Sequence, residues 1–354
     1  GGQVSTIALP TGGSIVNAYD GLGRLTSNAL RQSSGRTLNT HDYSYDAAHR
    51  RTRQTRDGSY VNYGYDNIGQ LTAAQGYESG GATRWHEQMS YVYDAGGNVT
   101  ERWNDTLKQV WVLGSRNTMS SASTAQGVPT VSGMAGGVIN SLTVNGASAI
   151  SYGDGSFAVR NLNLTGGYTA TATGAAGNTA TDNSSGNWSG PASFGYESAG
   201  NLTGDGQRGF TYDDENRLIY VYVSGAGLVE YAYDGLGRLK LRQEFDGWGN
   251  LLKFTRYLYD GYRVIQERNS SGQPVATYTR GLDLSGSLEG AGGIGGLLAR
   301  TDSTGSAYYH ADGGGNVTML INASQQVVAK YLYDPFGHLL GSTGPLADAN
   351  PYRF

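Results

Sequence analysis

The ten residues Tyr231 to Lys240 read YAYDGLGRLK, and the architecture of the chain follows from them. Tyr231-Ala232-Tyr233 alternates large and small side chains, the two-residue period of a strand with one face toward an interior and one toward solvent. Asp234 opens a turn. Its carboxylate can accept hydrogen bonds from the backbone N–H groups just ahead of it, and Gly237 supplies the positive φ that a tight or bulged turn requires. Arg238-Leu239-Lys240 starts the return strand, so the stretch encodes one β-hairpin.

Most of the chain is imperfect copies of it, which makes an internal repeat the first fact to be read. The copies are NAYDGLGRLT (Asn17 to Thr26), YSYDAAHRRT (Tyr43 to Thr52), YGYDNIGQLT (Tyr63 to Thr72), YVYDAGGNVT (Tyr91 to Thr100), FGYESAGNLT (Phe194 to Thr203), FTYDDENRLI (Phe210 to Ile219), YLYDGYRVIQ (Tyr257 to Gln266) and YLYDPFGHLL (Tyr331 to Leu340). A looser one is YYHADGGGNVTML, Tyr308 to Leu320. The turn positions are Asp20, Asp46, Asp66, Asp94, Glu197, Asp213, Asp234, Asp260, Asp312 and Asp334, with Gly23, Gly69, Gly97, Gly200, Gly237, Gly315 and Gly337 three residues on and Pro335 inside the last turn. The tyrosines before the acids are Tyr19, Tyr45, Tyr65, Tyr93, Tyr196, Tyr212, Tyr233, Tyr259 and Tyr333. An acid that recurs at one place in a repeat has a structural task, here holding each turn.

Composition points the same way. With 56 Gly and 26 Tyr in 354 residues and 15% charged residues, the chain is folded but lacks the usual aliphatic core. Tyrosine suits an inner surface that is partly apolar and partly wet, so a tightly filled core is not implied. The net charge of −4 argues against nucleic-acid binding. The basic cluster Arg50, Arg51, Arg53 and Arg56 reads as a solvated strand face. No cysteine is present, which excludes disulfides and thiolate metal sites. No apolar run is long enough for a membrane helix, and Gly1-Gly2-Gln3 reads as a start in mid-protein.

Candidate chemistry is sparse. His41, His49, His86, His310 and His338 show no metal-ligand spacing, and the Asp-Gly turns near Asp154 and Asp312 lack the ligand run of a calcium loop. Gly286 to Leu298 is glycine-rich without the Lys-Ser/Thr of a phosphate loop, so it reads as a flexible loop or as backbone packed against a wall. A carboxylate pair for glycoside hydrolysis depends on spatial separation, which spacing does not supply. The acceptor-like triplets at Asn98, Asn201 and Asn316 fall at repeat positions. The expectation is no catalytic residue, no metal and no cofactor.

The repeat acid is absent between Asp94 and Glu197. Ser115 to Val128 is rich in Ser, Thr, Ala and Gly and reads as a linker. Leu142 to Asn183 has short alternating runs separated by Asn145-Gly146, Asp154-Gly155 and Gly166-Gly167, and it resembles bacterial Ig-like inserts, with a decorated loop as the alternative. Expected boundaries are 1–116 for the first hairpins, 117–190 for linker and insert, and 191–354 for the second set.

The repeats resemble the YD repeats of bacterial RHS and insecticidal-toxin shell proteins and of teneurins. Tyr257 to Arg300 and Tyr308 to Phe354 are similar to the RHS-repeat-associated core. The resemblance implies an all-β fold: a spiralling antiparallel sheet of hairpins that forms part of a hollow shell or tube, with open strand edges in need of caps. It also implies a secreted or cell-surface shell segment that encapsulates a C-terminal toxin-like polypeptide. The self-cleaving aspartates of such proteins lie in a later element, whereas Asp334-Pro335-Phe336-Gly337 matches only the first. Partners are then the rest of the chain and its enclosed polypeptide. The alternatives are further copies in a tube or filament, or cell-surface glycans bound by an adhesive module.

Overall fold

The computed structural model describes residues 2–114, 116–164, 167–184 and 192–353. Ser115, Gly166 and Trp188, with the expected boundary at 190/191, lie outside them. The described residues are strands joined by turns, with no helix.

Twelve strands form one antiparallel sheet and fourteen another, and neighbours in each follow chain order. The first runs from Thr6–Ala8 to Met119–Gln126 and then takes Ala192–Ser193; the second runs from Gly195–Tyr196 to Leu339–Thr343. Phe194 joins them, its N–H donating to Ser120 O at 3.0 Å. The two sheets are thus one strip of hairpins, as local pairing of sequential strands favours.

The stretch read as a linker is a strand. Met119–Gln126 pairs with Leu107–Leu113 on one side and with Ala192–Ser193 on the other. Its small hydroxyl side chains looked like linker composition, but a ladder asks only for backbone groups, and these are supplied by both neighbours. The glycine-rich stretch is also organised. It wraps the buried Asp283, whose carboxylate accepts from Ser285 N (2.9 Å), Ala291 N (2.6 Å) and Gly293 N (3.1 Å).

Between the two parts of the strip, the described residues of 131–164 and 167–184 fold into sheets of three and four short strands. They share a core of Val131, Leu142, Val144, Phe157, Val159, Leu164 and Ala170. Asn145 and Gly146 both have positive φ, 48° and 80°, as a two-residue hairpin turn demands.

The expectation of a loosely filled interior is corrected in one region. Strand Val317–Asn322 is buried on both faces. Met319 and Ile321 pack on Leu9, Ile15 and Leu30, whereas Val317 and Leu320 lie with Tyr331, Tyr333 and Ala347 beneath the C-terminal tail. Leu332 and Leu340 pack on Val61, Ala74, Met89 and Tyr91. The end of the strip therefore lies on the face of its beginning, which shields these aliphatic side chains on both sides. From 92 to 130, and from 192 to 275, Thr255 is the sole buried residue among those described. These strands are a wall, half-exposed on each face.

Two predictions follow from this frame. The single O–H of Tyr333 lies 2.9 Å from both Val317 O and Arg353 O, which share it, so Tyr333→Phe is expected to cost about 1 kcal/mol in chemical denaturation. His49 takes φ 64° where most repeats place glycine, so His49→Gly should raise the melting temperature through a relief of about 1 kcal/mol.

Candidate functional site: the seam where the strip closes

Each repeat turn is a bulged hairpin. At Asp234 the backbone N–H donates to Arg238 O (2.9 Å), and Gly237 N–H donates back to Asp234 O (2.9 Å). The carboxylate fills the turn: Oδ1 accepts from Leu236 N (2.9 Å) and Arg238 N (3.0 Å), and Oδ2 accepts from Arg238 Nε (2.8 Å). The backbone pattern recurs at Asp20, Asp46, Asp66, Asp94, Glu197, Asp213, Asp312 and Asp334. Gly23, Gly69, Gly97, Gly200, Gly237, Gly315 and Gly337 all have φ between 74° and 96°, and Asn216 fills the same place at 61°. Asp260 departs. With Gly261 directly after it, the hairpin closes in two residues, and Asp260 pairs with Arg263 instead.

In most repeats the tyrosine before the acid ties one hairpin to the last. Tyr45, Tyr65, Tyr93, Tyr233 and Tyr259 donate to the carbonyls of Leu25, Arg51, Leu71, Leu218 and Leu239 at 2.7–2.8 Å. Tyr19 reaches Val4 O. These acceptors sit opposite the previous repeat's tyrosine in the ladder, as in Tyr19↔Leu25, Tyr45↔Arg51 and Tyr233↔Leu239. Tyr196 and Tyr212 hold the same register against Leu202 and Leu218. Where the turn ends in arginine, its guanidinium lies over the next tyrosine, as with Arg24 on Tyr45 (4.7 Å), Arg217 on Tyr233 (5.0 Å) and Arg238 on Tyr259 (4.8 Å).

The last two repeat turns also seat on the face of the first hairpins. Gly313 N donates to Tyr43 OH (2.7 Å), and Arg51, stacked on Tyr43, donates to Gly313 O. A Cβ on Gly313 would lie 2.8 Å from Leu25. One turn later, Asp334 Oδ2 pairs with Arg102 (3.3 Å), and Phe336 meets Tyr91 edge-on with ring centres 4.9 Å apart. On the flank, Gln325 Oε1 accepts from Ser33 N at 2.8 Å.

Between the seated turns lies a polar cavity of about 230 Å³, whose lining includes His41, Gln54, Arg56, Tyr63, Glu87, Asp154 and Lys330. Arg84, wholly buried, pairs with Glu78, Glu87 and Asp154. Arg56 pairs with Glu87, and Lys330 with Asp57 at 3.2 Å. Asp154 belongs to the insert, so the insert is latched to the first sheet. A second clamp, Arg160 on Asp105 (2.6 Å), has the same guanidinium 3.6 Å from the Trp85 ring centre. Ser132 Oγ donates to Leu340 O (3.1 Å), so the insert also covers the final strand. Of the basic cluster read as solvated, Arg51 and Arg56 are therefore in the seam.

Burial holds the seam histidines neutral. His41 is depressed to about 3, through desolvation and then the Arg56 charge; His86 is also lowered to about 3, through desolvation and then Arg84. His310, 5.6 Å from His41 ring to ring, is pushed down by burial as well. The turn acids shift down for another reason. Donors from the fourth residue on, backbone first at Asp20, Asp46 and Asp213 and side chain first at Asp94 and Asp234, favour their charged forms.

Some turns escaped the sequence reading. Asp246, Asn269 and Asn322 make the same backbone turn on the opposite rim of the strip. Asp246 carried a legible signal in Asp-Gly-Trp-Gly-Asn; Asn322 carried none, since Gln325 takes the glycine place at φ 59°. The seam network was not legible either, because its partners are far apart in the chain. No group of His, Cys, Asp and Glu suited to a metal ion occurs among the described residues.

Arg84→Met is expected to cost about 3–5 kcal/mol by leaving Asp154 buried without a counter-ion and Glu87 with Arg56 alone, read as a fall in denaturation midpoint. Acid should act in two stages. Below the ordinary histidine value of 6.5 the unfolded chain binds protons that folded His41 and His86 refuse, so stability falls as pH drops toward 3. Below 3.8 the turn acids, depressed in the fold, add a further loss. Denaturation midpoints unchanged between pH 7 and 4 would contradict this, and His41→Gln should flatten the first stage.

No family model matches the chain. Among curated proteins it is similar to the tRNA3(Ser)-specific nuclease WapA of Bacillus spizizenii, 29% identical over 150 residues, which is 41% of this chain and 6% of that protein. The tRNA nuclease WapA of Bacillus subtilis is 27% identical over the same shares. The match thus spans about 6% of the length of these relatives. Among solved structures, TcdB2-TccC3 without its hypervariable C-terminal region aligns with 99% of this chain and 18% of its own, at 16% identity and a TM-score of 0.40. The Photorhabdus luminescens Tc holotoxin pore aligns with 100% and 18%, at 16% identity and a TM-score of 0.41. The hairpins read from the repeats form an all-β strip, and over 150 residues the chain is similar in sequence to WapA proteins of Bacillus.

Proposed function

We propose that the chain is a wall segment of a secreted or cell-surface RHS-type protein, and that the wall encloses or presents a polypeptide. One observation carries this reading: a single strip of hairpins, laid down in chain order, returns to seat its last turns on its first. The strands between are half-exposed on both faces, as a wall between two aqueous spaces would be. Tyr231, Tyr257, Arg242, Glu244 and Glu267 share one face of neighbouring strands and make that face of the wall mixed aromatic and charged.

A structural rather than catalytic use is supported by the state of the carboxylates. The oxygens of Asp20, Asp46, Asp213 and Asp234 are occupied by turn donors and by arginine. The nuclease activity for which WapA is named stays with those proteins, because the match covers so little of them. The insert, clamped at Asp154 and Arg160, serves this reading better as a brace of the seam than as a free adhesive arm.

The test is protection. A protease-sensitive peptide fused after Phe354 should be cleaved much more slowly in the folded chain than after Arg84→Met opens the seam, and hollow particles should be seen by electron microscopy. Equal cleavage of the two, with compact particles lacking an interior, would reject the wall reading.

A further inference from the structure

The seated turn at Asp334 defines a receptor with two parts, the ring of Tyr91 and the guanidinium of Arg102 directly across the ladder from it. Among the YD repeats, one other repeat places the same pair at the same positions: Tyr231 faces Arg242. In both arginines Nε is buried without a hydrogen-bond partner. Arg242 is otherwise held by Glu244 at 3.3 Å and by the Tyr257 hydroxyl, and keeps 35% of its side chain exposed, against 19% for Arg102. The second receptor thus has no turn seated on it.

The ligand side is equally specific. In most repeat turns the outer carboxylate oxygen is consumed by the fourth residue on, arginine after Asp20, Asp46, Asp213 and Asp234 and asparagine after Asp94 and Asp312. At Asp334 the fourth residue is His338, which takes only Oδ1 through its backbone N–H and leaves Oδ2 for Arg102. Asp66 is built the same way. Its Oδ1 accepts from Ile68 N (3.0 Å) and Gln70 N (2.8 Å), and no partner is present for Oδ2 among the described residues. Ile68, at the place Phe336 holds in the seated turn, is 82% exposed.

We propose that the Asp66-Asn67-Ile68-Gly69 turn of one copy seats on Tyr231 and Arg242 of a second copy, with Asp66 on the guanidinium and Ile68 against the ring. Donor and receptor are different patches of one surface, so the contact is heterologous and extends into open chains unless its rotation closes a ring. It is separate from the sheet edges and from the seam.

Sedimentation velocity of the full 354-residue chain over a range of concentrations tests this. The wild type should form species that grow with concentration and shrink with added salt, as a contact containing an ion pair does. Ile68→Lys and Arg242→Gln should each weaken association by roughly tenfold or more, without change in melting temperature. The decisive arm is the equimolar mixture of these two variants. One retains only the receptor and the other only the turn, so the mixture should give dimers and nothing longer. A wild type that stays monomeric, variants that associate like it, or a mixture that stays monomeric would each overturn the proposal. None of these results touches the wall reading, which rests on protection within one chain.

Discussion

The structure depends on one recurring hydrogen bond, from the hydroxyl of a repeat tyrosine to a carbonyl of the hairpin before it. A bulged turn disrupts the ladder where it sits, and a sheet of such turns would be ragged along one rim. The tyrosine spans that irregularity. Its ring contributes apolar area and its hydroxyl satisfies a backbone carbonyl near the bulge. The aspartate and arginine of the turn complete the lattice: the carboxylate fixes the arginine, and the arginine covers the next ring. Adjacent hairpins are thereby joined by side chains as well as by the ladder. This explains how a chain so rich in glycine forms a continuous wall with little aliphatic core.

Closure uses the same parts for a second purpose. Tyr43 and Tyr91 accept turns from the far end of the strip instead of being covered by solvent. The cavity between those turns is lined by charged groups, a costly arrangement unless every ion has partners. Arg84 has three, one of them from the insert. The insert is therefore part of the closure. It supplies Asp154 to the network and lays Val131–Met134 beside the final strand, which would otherwise be an open edge.

What could be read from sequence was whatever a repeat makes local. The Asp-x-x-Gly turns, the strand period around them and the all-β class were legible because each is decided within ten residues. Asp260 shows the limit of that reading, since moving the glycine from the third place to the first replaced a bulged turn with a two-residue one. Met119–Gln126 shows another, because pairing was decided by neighbours and not by composition. The seam was illegible for a different reason. Gly313 meets Tyr43 and Asp334 meets Arg102 across most of the chain, and nothing in either stretch names its partner. Burial of Arg56 and of His41 follows from that closure, so their chemistry could not be anticipated from spacing.

The central claim is that the strip returns onto its own beginning, and the most direct measurement is a covalent one. The chain contains no cysteine, so the pair Ser33→Cys and Gln325→Cys, placed where Gln325 accepts a hydrogen bond from Ser33 N, provides the only thiols present. Because that bond is made by the end of the Gln325 side chain, a direct disulfide would fall short, and a short thiol-reactive bifunctional linker is used instead. In dilute protein the account predicts one linker joining both thiols within a chain, seen as a single added linker mass and a faster-migrating band. Two linkers, each attached to one thiol of the folded, monomeric protein, would mean that the ends of the strip do not meet.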